Sequence, residues 1–358
     1  MSFDPKELEV IGRAPSRVYA EGVPIFNAPV SQREAYFNAV YKRQPNYFLM
    51  GTETSIFCPQ IIPDNVARGF VIESNKWDPA NYGGPDMFGI EWVFVPVVGG
   101  SMEKPGIPHP FSDANDWKSV LKFPDIYSWD WDQSGRDNRE YLKNGKANMM
   151  WFLNGAWFER LISFMGFEDA AVALIDEEQE DALKELFQAT TDLHKKLVDV
   201  ACEVYGPDLT GFTVHDDWGS QRAPFFSVEA GREMIVPFMK QLTDHIKSKG
   251  RVADLHSCGS LMTQCQNFVE GGWQSWSPMP MNDTKKLMAE YGDKMIIGLI
   301  DTPFTEGETD AEMKAQAEKL VAENFKADRP ALLSSYSSYS QKDAYITGLY
   351  EASRKVVG

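Results

Sequence analysis

The segment Asp254-Leu-His256-Ser-Cys258-Gly259 carries the residue types best suited to chemistry. Side chains alternate along a strand, so His256 and Cys258 point the same way on an extended segment, with Asp254 below them. An imidazole and a thiolate aimed together suit zinc, which takes nitrogen and sulfur ligands in a tetrahedral shell. Gly259 frees the backbone immediately after the second of them. The spacing alone is also that of a buried histidine beside an inert cysteine, and Asp254 is placed to orient the imidazole. A second cluster is Thr213-Val-His215-Asp216-Asp217. Its adjacent carboxylates face opposite sides of an extended chain. One of them, taken as Asp216, enters a pocket for hydrogen bonding or proton transfer, and the other pairs with Arg222 or Arg232. His215 reads either way. Asp301 reads as a turn cap. The segment Ser334–Tyr339, with Tyr336 as a candidate proton donor, either binds a polar ligand or satisfies local backbone groups. The chain has no G-x-G-x-x-G opening a helix, no G-x-x-x-x-G-K-[ST], no G-x-S-x-G and no H-E-x-x-H. Nicotinamide, nucleotide-triphosphate and α/β-hydrolase chemistry therefore lack their templates.

Short apolar runs alternating with helical patterns would position these groups, which predicts parallel strands joined by helices. The strand candidates are Tyr47–Met50, Glu91–Val97, Asn148–Leu153, Gly211–Asp216, Val252–His256, Trp273–Trp276, Met295–Ile300 and Ala331–Ser335. Eight is the number a closed barrel requires, and the two clusters fall at carboxyl ends of strands, where such barrels place their active sites. Leu183, Leu186, Leu193, Leu197, Val200 and Val204 form an amphipathic stripe within Glu178–Tyr205. Ser227 caps the next helix, Pro237 is expected to kink it, and Gly250 to stop it. Asp310–Phe325 and Gln341–Val357 complete the series. The Gly- and Pro-rich region Gly83–Ile107 reads as a long functional loop. Nothing resembles a linker, so the expectation is a single α/β domain over residues 1–358, a distorted (β/α)8 TIM-type barrel.

Composition narrows the function classes. The 358 residues are 43% hydrophobic and 24% charged, enough for a packed core and against disorder. A formal net charge of −17 repels phosphate backbones, which argues against a nucleic-acid partner. No stretch reaches the ~20 apolar residues of a membrane span, and MSFDPKELEV lacks the apolar core of a signal peptide. Four cysteines (Cys58, Cys202, Cys258, Cys265) are too few for a disulfide scaffold, so a reducing, cytoplasmic setting is expected. Ten tryptophans are ordinary core filling or the lining of a pocket for a flat ligand.

Several motifs in order carry a resemblance to a known family. They are Asn154-Gly-Ala-Trp-Phe-Glu-Arg160 with Met165-Gly-Phe-Glu168, then Asp216-Asp-Trp-Gly-Ser-Gln-Arg222 with Pro224-Phe-Phe-Ser227. The Arg232…Pro237 helix, Leu255-His-Ser-Cys-Gly-Ser260 and Gly298-Leu-Ile-Asp-Thr302 follow. Over residues 145–325 the chain resembles the uroporphyrinogen decarboxylase superfamily, which implies the same barrel. True decarboxylases of that family hold a tetrapyrrole's carboxylates through arginines after the first strand. Here that place reads Gly51-Thr-Glu-Thr-Ser-Ile-Phe-Cys-Pro-Gln60, with no Arg before Arg68, so uroporphyrinogen is not expected as a substrate.

The second branch of the superfamily consists of corrinoid-dependent methyltransferases, whose His-x-Cys of the fifth strand supplies two ligands of a catalytic zinc. His256 and Cys258 match it. The further Cys that the family has near its last strand is absent, since no Cys follows Cys265. A carboxylate or another cysteine would have to complete the site; Glu53, Cys58 and Cys265 are the further candidates. The resemblance implies methyl transfer between a small methylated substrate and the cobalt of a corrinoid (cobalamin) carried by a partner protein. A methoxylated aromatic, giving O-demethylation, suits Trp218 and Trp276 near the strand ends as substrate-binding residues. Leaving-group stabilisation would fall to zinc or to His256, Asp216 or Tyr336. The alternatives are a decarboxylase and a non-catalytic corrinoid- or ligand-binding homologue.

Overall fold

The computed structural model describes residues 2–15, 22–97 and 99–358. The protein is α/β, and its chain gathers into two compact units: Met1–Ser55, Gly145–Ala147 and Gln274–Gly358 in one, Ile56–Asn144 and Asn148–Trp273 in the other.

The second unit holds His215, Asp217, His256 and Cys258. Its strands Leu209–His215 and Val252–His256 pair in parallel, and the segment 148–152 of the strand Ala147–Phe152 pairs in parallel with Leu209–His215. Every residue of Leu209–His215 is buried, as expected of a parallel strand covered on both faces. The helix Glu180–Tyr205 follows its predicted stripe, burying Leu183, Leu186, Leu193, Leu197 and Val200. Ser227 caps the next helix by accepting a hydrogen bond from Ala230 N at 3.1 Å. Pro237 does not kink that helix, as the sequence predicted. The helix instead breaks into Val228–Met234 and Val236–Ser248 at Ile235, and Pro237 stands in the first turn of the second piece. In a first turn its missing N–H leaves no helical hydrogen bond unmade.

Glu91–Val97 is likewise corrected. Glu91–Val95 is not one of the parallel strands but the middle of a three-stranded antiparallel sheet, between Gly84–Pro85 and Gly100–Glu103. The connections on either side are too short for a parallel crossover. The region Gly83–Ile107 is therefore largely a small sheet, apart from Val98, which lies outside the described residues. A strand absent from the expected set occurs at Thr54–Phe57.

In the first unit, Ser275–Trp276, Ile296–Leu299 and Leu332–Leu333 pair in parallel in that order, and Leu49 bridges to Leu332. The predicted strand at Tyr47–Met50 is thus reduced to one bridge. Asp301 accepts from Lys285 Nζ, Thr302 N, Gln316 Nε2 and the Tyr345 hydroxyl at 2.6–2.9 Å, which makes it a structural hub rather than only a turn cap. The described pairings do not show eight strands closing into a barrel. No described helix is long and apolar enough to cross a membrane.

His194 gives the fold a defined acid sensitivity. It is fully buried, lies edge-on to Phe152 at 5.4 Å, and donates from Nδ1 to Thr190 O at 2.8 Å. Burial lowers its pKa to about 4. The unfolded chain therefore binds the extra proton first, and stability falls as pH drops from about 6.5 to about 4, by roughly 3 kcal/mol from this group. Urea unfolding across that range should show His194→Gln losing this part of the slope; an unchanged slope would contradict it.

Candidate metal centre

The register of two neighbouring strands builds the site. His215 and His256 are direct partners on parallel strands, and their rings stack at 4.6 Å and 18°. Two residues further along each chain come Asp217 and Cys258, and Cys258 N donates to Asp217 Oδ1 at 2.7 Å. One ligand atom from each of the four residues lies within 4.8 Å of all the others. His256 Nε2 is 3.4 Å from Cys258 Sγ, and His215 Nε2 is 3.8 Å from an Asp217 oxygen. Ligand atoms around a tetrahedral zinc lie about 3.3–3.8 Å apart, a range that both of these pairs meet, and the remaining distances, none above 4.8 Å, need only small side-chain movements to reach it. The two strand ends come this close because Gly259, at φ +110°, passes over Gly219; a Cβ there would sit 2.4 Å from the Gly219 backbone.

The next layer fixes the ligands. Glu159 Oε2 accepts from His215 Nδ1 at 2.6 Å, which leaves Nε2 to face the other three groups. Glu159 Oε1 accepts from Arg68 Nη1 at 2.7 Å. Burial acts to raise the Glu159 carboxyl, but the charges of His215 and Arg68 outweigh it and hold it far below the usual range. Burial acts against a proton on His215, yet Glu159 and Asp217 raise its pKa. Burial and the charge of His215 lower His256 to about 3, so it presents a neutral imidazole. Burial, followed by the neighbouring Asp217, pushes the Cys258 thiol up.

Asp216 points the other way. It is fully buried and accepts from Trp157 N, Phe158 N and Glu159 N at 3.2–3.3 Å and from Trp218 Nε1 at 2.6 Å. These donors start the helix Phe158–Met165, so Asp216 anchors the turn that carries Glu159. Burial, then the charge of Glu159, pushes its carboxyl up to about 7, while the hydrogen bonds from Trp218, Glu159 N and Trp157 N work in the opposite sense. The approach requires left-handed backbone at Asn154 and Gly155, where a Cβ on Gly155 would meet Asp216 Oδ1 at 2.2 Å. The next helical residue, Arg160, is buried against Asp64 and Asp86 and locks the helix in place.

Of the residues singled out in the sequence, His256 and Cys258 thus stand together. Asp217, expected to pair with Arg222 or Arg232, is instead part of the group, and Arg232 pairs with Glu270. Asp254 accepts from Thr213 Oγ1 at 2.8 Å. Trp218 is fully buried beneath Asp216, and Trp276 is fully buried in the first unit. Tyr336 also belongs to the first unit, where it is 44% exposed, with its backbone N–H donating to Ser334 Oγ. Cys58, Cys265 and Glu53 are fully buried outside the group. Sequence reasoning quoted Glu159 within a motif but gave it no role. Its signal is a carboxylate in the first turn of a helix that follows a strand end.

Asp217, Glu159 and Arg68 open onto a cavity of about 630 Å³ within the second unit, walled by Trp92, Met102, Ile107, Ile162, Phe167 and Phe225. Such a volume suits a small ligand.

No family model matches the chain, and no curated protein matches it. Among solved structures it is similar to a methyltransferase from Methanosarcina mazei, with 14% identity, a TM-score of 0.53, and coverage of 91% of this chain and 87% of that one. Dispersin B matches at 12% identity and a TM-score of 0.29 over 63% of this chain and 76% of its own, too low to carry any argument. What the first of these likenesses shows is the fold that the chain shares with the Methanosarcina mazei methyltransferase.

Proposed function

We propose that the protein is a methyltransferase that holds zinc on His215 Nε2, Asp217, His256 Nε2 and Cys258, and moves a methyl group between a small methylated substrate and a corrinoid carried by a partner protein. The observation that carries this reading is the register pairing of His215-x-Asp217 with His256-x-Cys258, whose Asp217 also lines the cavity. The fold shared with a methyltransferase supports it. When bound there, zinc would supply Lewis acidity toward an oxygen or sulfur of the substrate, which would enter as a fifth ligand or in place of the Asp217 carboxylate. The chain does the rest. Glu159 keeps the proton of His215 on Nδ1, and Arg68 keeps Glu159 charged and in place. The apolar residues of the cavity give a methoxylated aromatic, the donor class favoured here, a surface on which to be oriented. A cysteine near the last strand is unnecessary because His215 and Asp217 complete the ligand set.

The test is methyl transfer to free cob(I)alamin from methoxylated aromatics, read together with zinc content. Cys258→Ser and His256→Ala should lower both by about a hundredfold or more, while Cys202→Ser on the helix Glu180–Tyr205 changes neither. Zinc-free protein transferring at the full rate would contradict the reading. Coproporphyrinogen formed from uroporphyrinogen by the pure protein would replace it with decarboxylation.

A further inference from the structure

Arg68 does more than hold Glu159. Its guanidinium lies over the Trp92 ring at 5.0 Å, which fixes its plane, and its side chain is 20% exposed at the cavity. Nη1 is committed to Glu159 and Asn154. Nε and Nη2 have no protein partner among the described residues, so one donor edge of a rigid fork is left for a ligand. The charge is also incompletely spent, because Glu159 is shared with His215.

The carboxylates lining the same cavity have neighbours of their own: Glu103 lies 3.5 Å from His109, Glu159 accepts from Arg68 and His215, and Asp217 accepts from Cys258 N. Lys104, also lining the cavity, is exposed, and its ammonium has no partner among the described residues. The cavity therefore offers unanswered donors.

We propose that the cavity takes methyl donors or acceptors that carry a carboxylate, docked on Nε and Nη2 of Arg68. Two parallel charge-assisted hydrogen bonds from a guanidinium edge are the geometry a carboxylate matches. Arg68 and Asp217 line the same cavity, so an acid docked on Arg68 shares that cavity with one residue of the metal-binding group. Phe167, Phe225 and Ile162 supply apolar wall on which an aromatic ring rests. This substrate class rests on the methyltransferase reading, but its test does not use methyl transfer.

The experiment is calorimetric binding to the zinc-loaded protein of 3-methoxybenzoate, 4-methoxybenzoate and 3-methoxypropanoate, each compared with its uncharged amide. Wild type should bind at least one acid about tenfold or more tighter than its amide. Arg68→Gln should lower acid affinity by about tenfold to a hundredfold and amide affinity by far less, with Arg68→Lys intermediate. Zinc content is measured on each variant, because Arg68 also holds Glu159. The proposal is overturned if acid and amide bind wild type alike, if Arg68→Gln weakens both equally, or if no acid binds saturably. Acid binding through Arg68 without any methyl transfer would remove the functional reading and keep this one. Methyl transfer from neutral donors alone would do the reverse.

Discussion

His215→Ala and Asp217→Ala are each expected to weaken zinc binding by about a hundredfold or more, as much as Cys258→Ser does. A tetrahedral site with four protein ligands loses a full metal–ligand bond in each case. The two residues carry the expectation together because the strand register places both beside His256 and Cys258. His245→Ala is the control: His245 pairs with Asp199 on the surface and should leave affinity unchanged. Competition with a chromogenic chelator measures all four. Full zinc affinity in Asp217→Ala would remove the carboxylate from the set and leave the family's missing cysteine unreplaced.

Glu159→Gln should produce the second large effect without touching a ligand. The amide oxygen can still accept from His215 Nδ1, but the negative charge that sharpens that imidazole is gone, and Arg68 loses its ionic partner. Loss of an orienting carboxylate behind a histidine ligand costs about ten- to a hundredfold in metal affinity. Glu159→Ala should be worse for the fold, because it leaves the half-buried Arg68 and the buried His215 Nδ1 without their acceptor, at a cost of about 1–3 kcal/mol. Urea unfolding of the metal-free proteins separates the two variants. If Glu159→Gln keeps wild-type zinc affinity, Glu159 serves the fold alone.

Part of this site was legible in the sequence, and part depended on register. His256 and Cys258 were visible because period-two spacing on one strand needs no knowledge of its neighbours. His215 and Asp217 have the same spacing on the preceding strand, yet only the pairing of His215 with His256 shows that the two pairs converge. The adjacent carboxylates were assigned the wrong way round for a related reason. Asp217 is in phase with His215, and Asp216 is turned toward the helix it anchors. Arg68 and Glu159 come from helices distant in sequence, and no local pattern links them.

The parallel strands Asn148–Leu153, Gly211–Asp216 and Val252–His256 were found within two residues of their ends because they are short runs rich in apolar residues between helical patterns. Glu91–Val97 has a similar run. What distinguishes it is its short Gly- and Pro-rich flanks, which permit only antiparallel pairing.

Zinc K-edge X-ray absorption of the reconstituted protein, beside that of Cys258→Ser, tests the central claim most directly. The four-residue centre predicts one sulfur at about 2.3 Å with three nitrogen or oxygen neighbours at about 2.0–2.2 Å, and loss of the sulfur contribution in the variant. A shell of oxygen and nitrogen alone in the wild type, or a sulfur signal that survives Cys258→Ser, would contradict it.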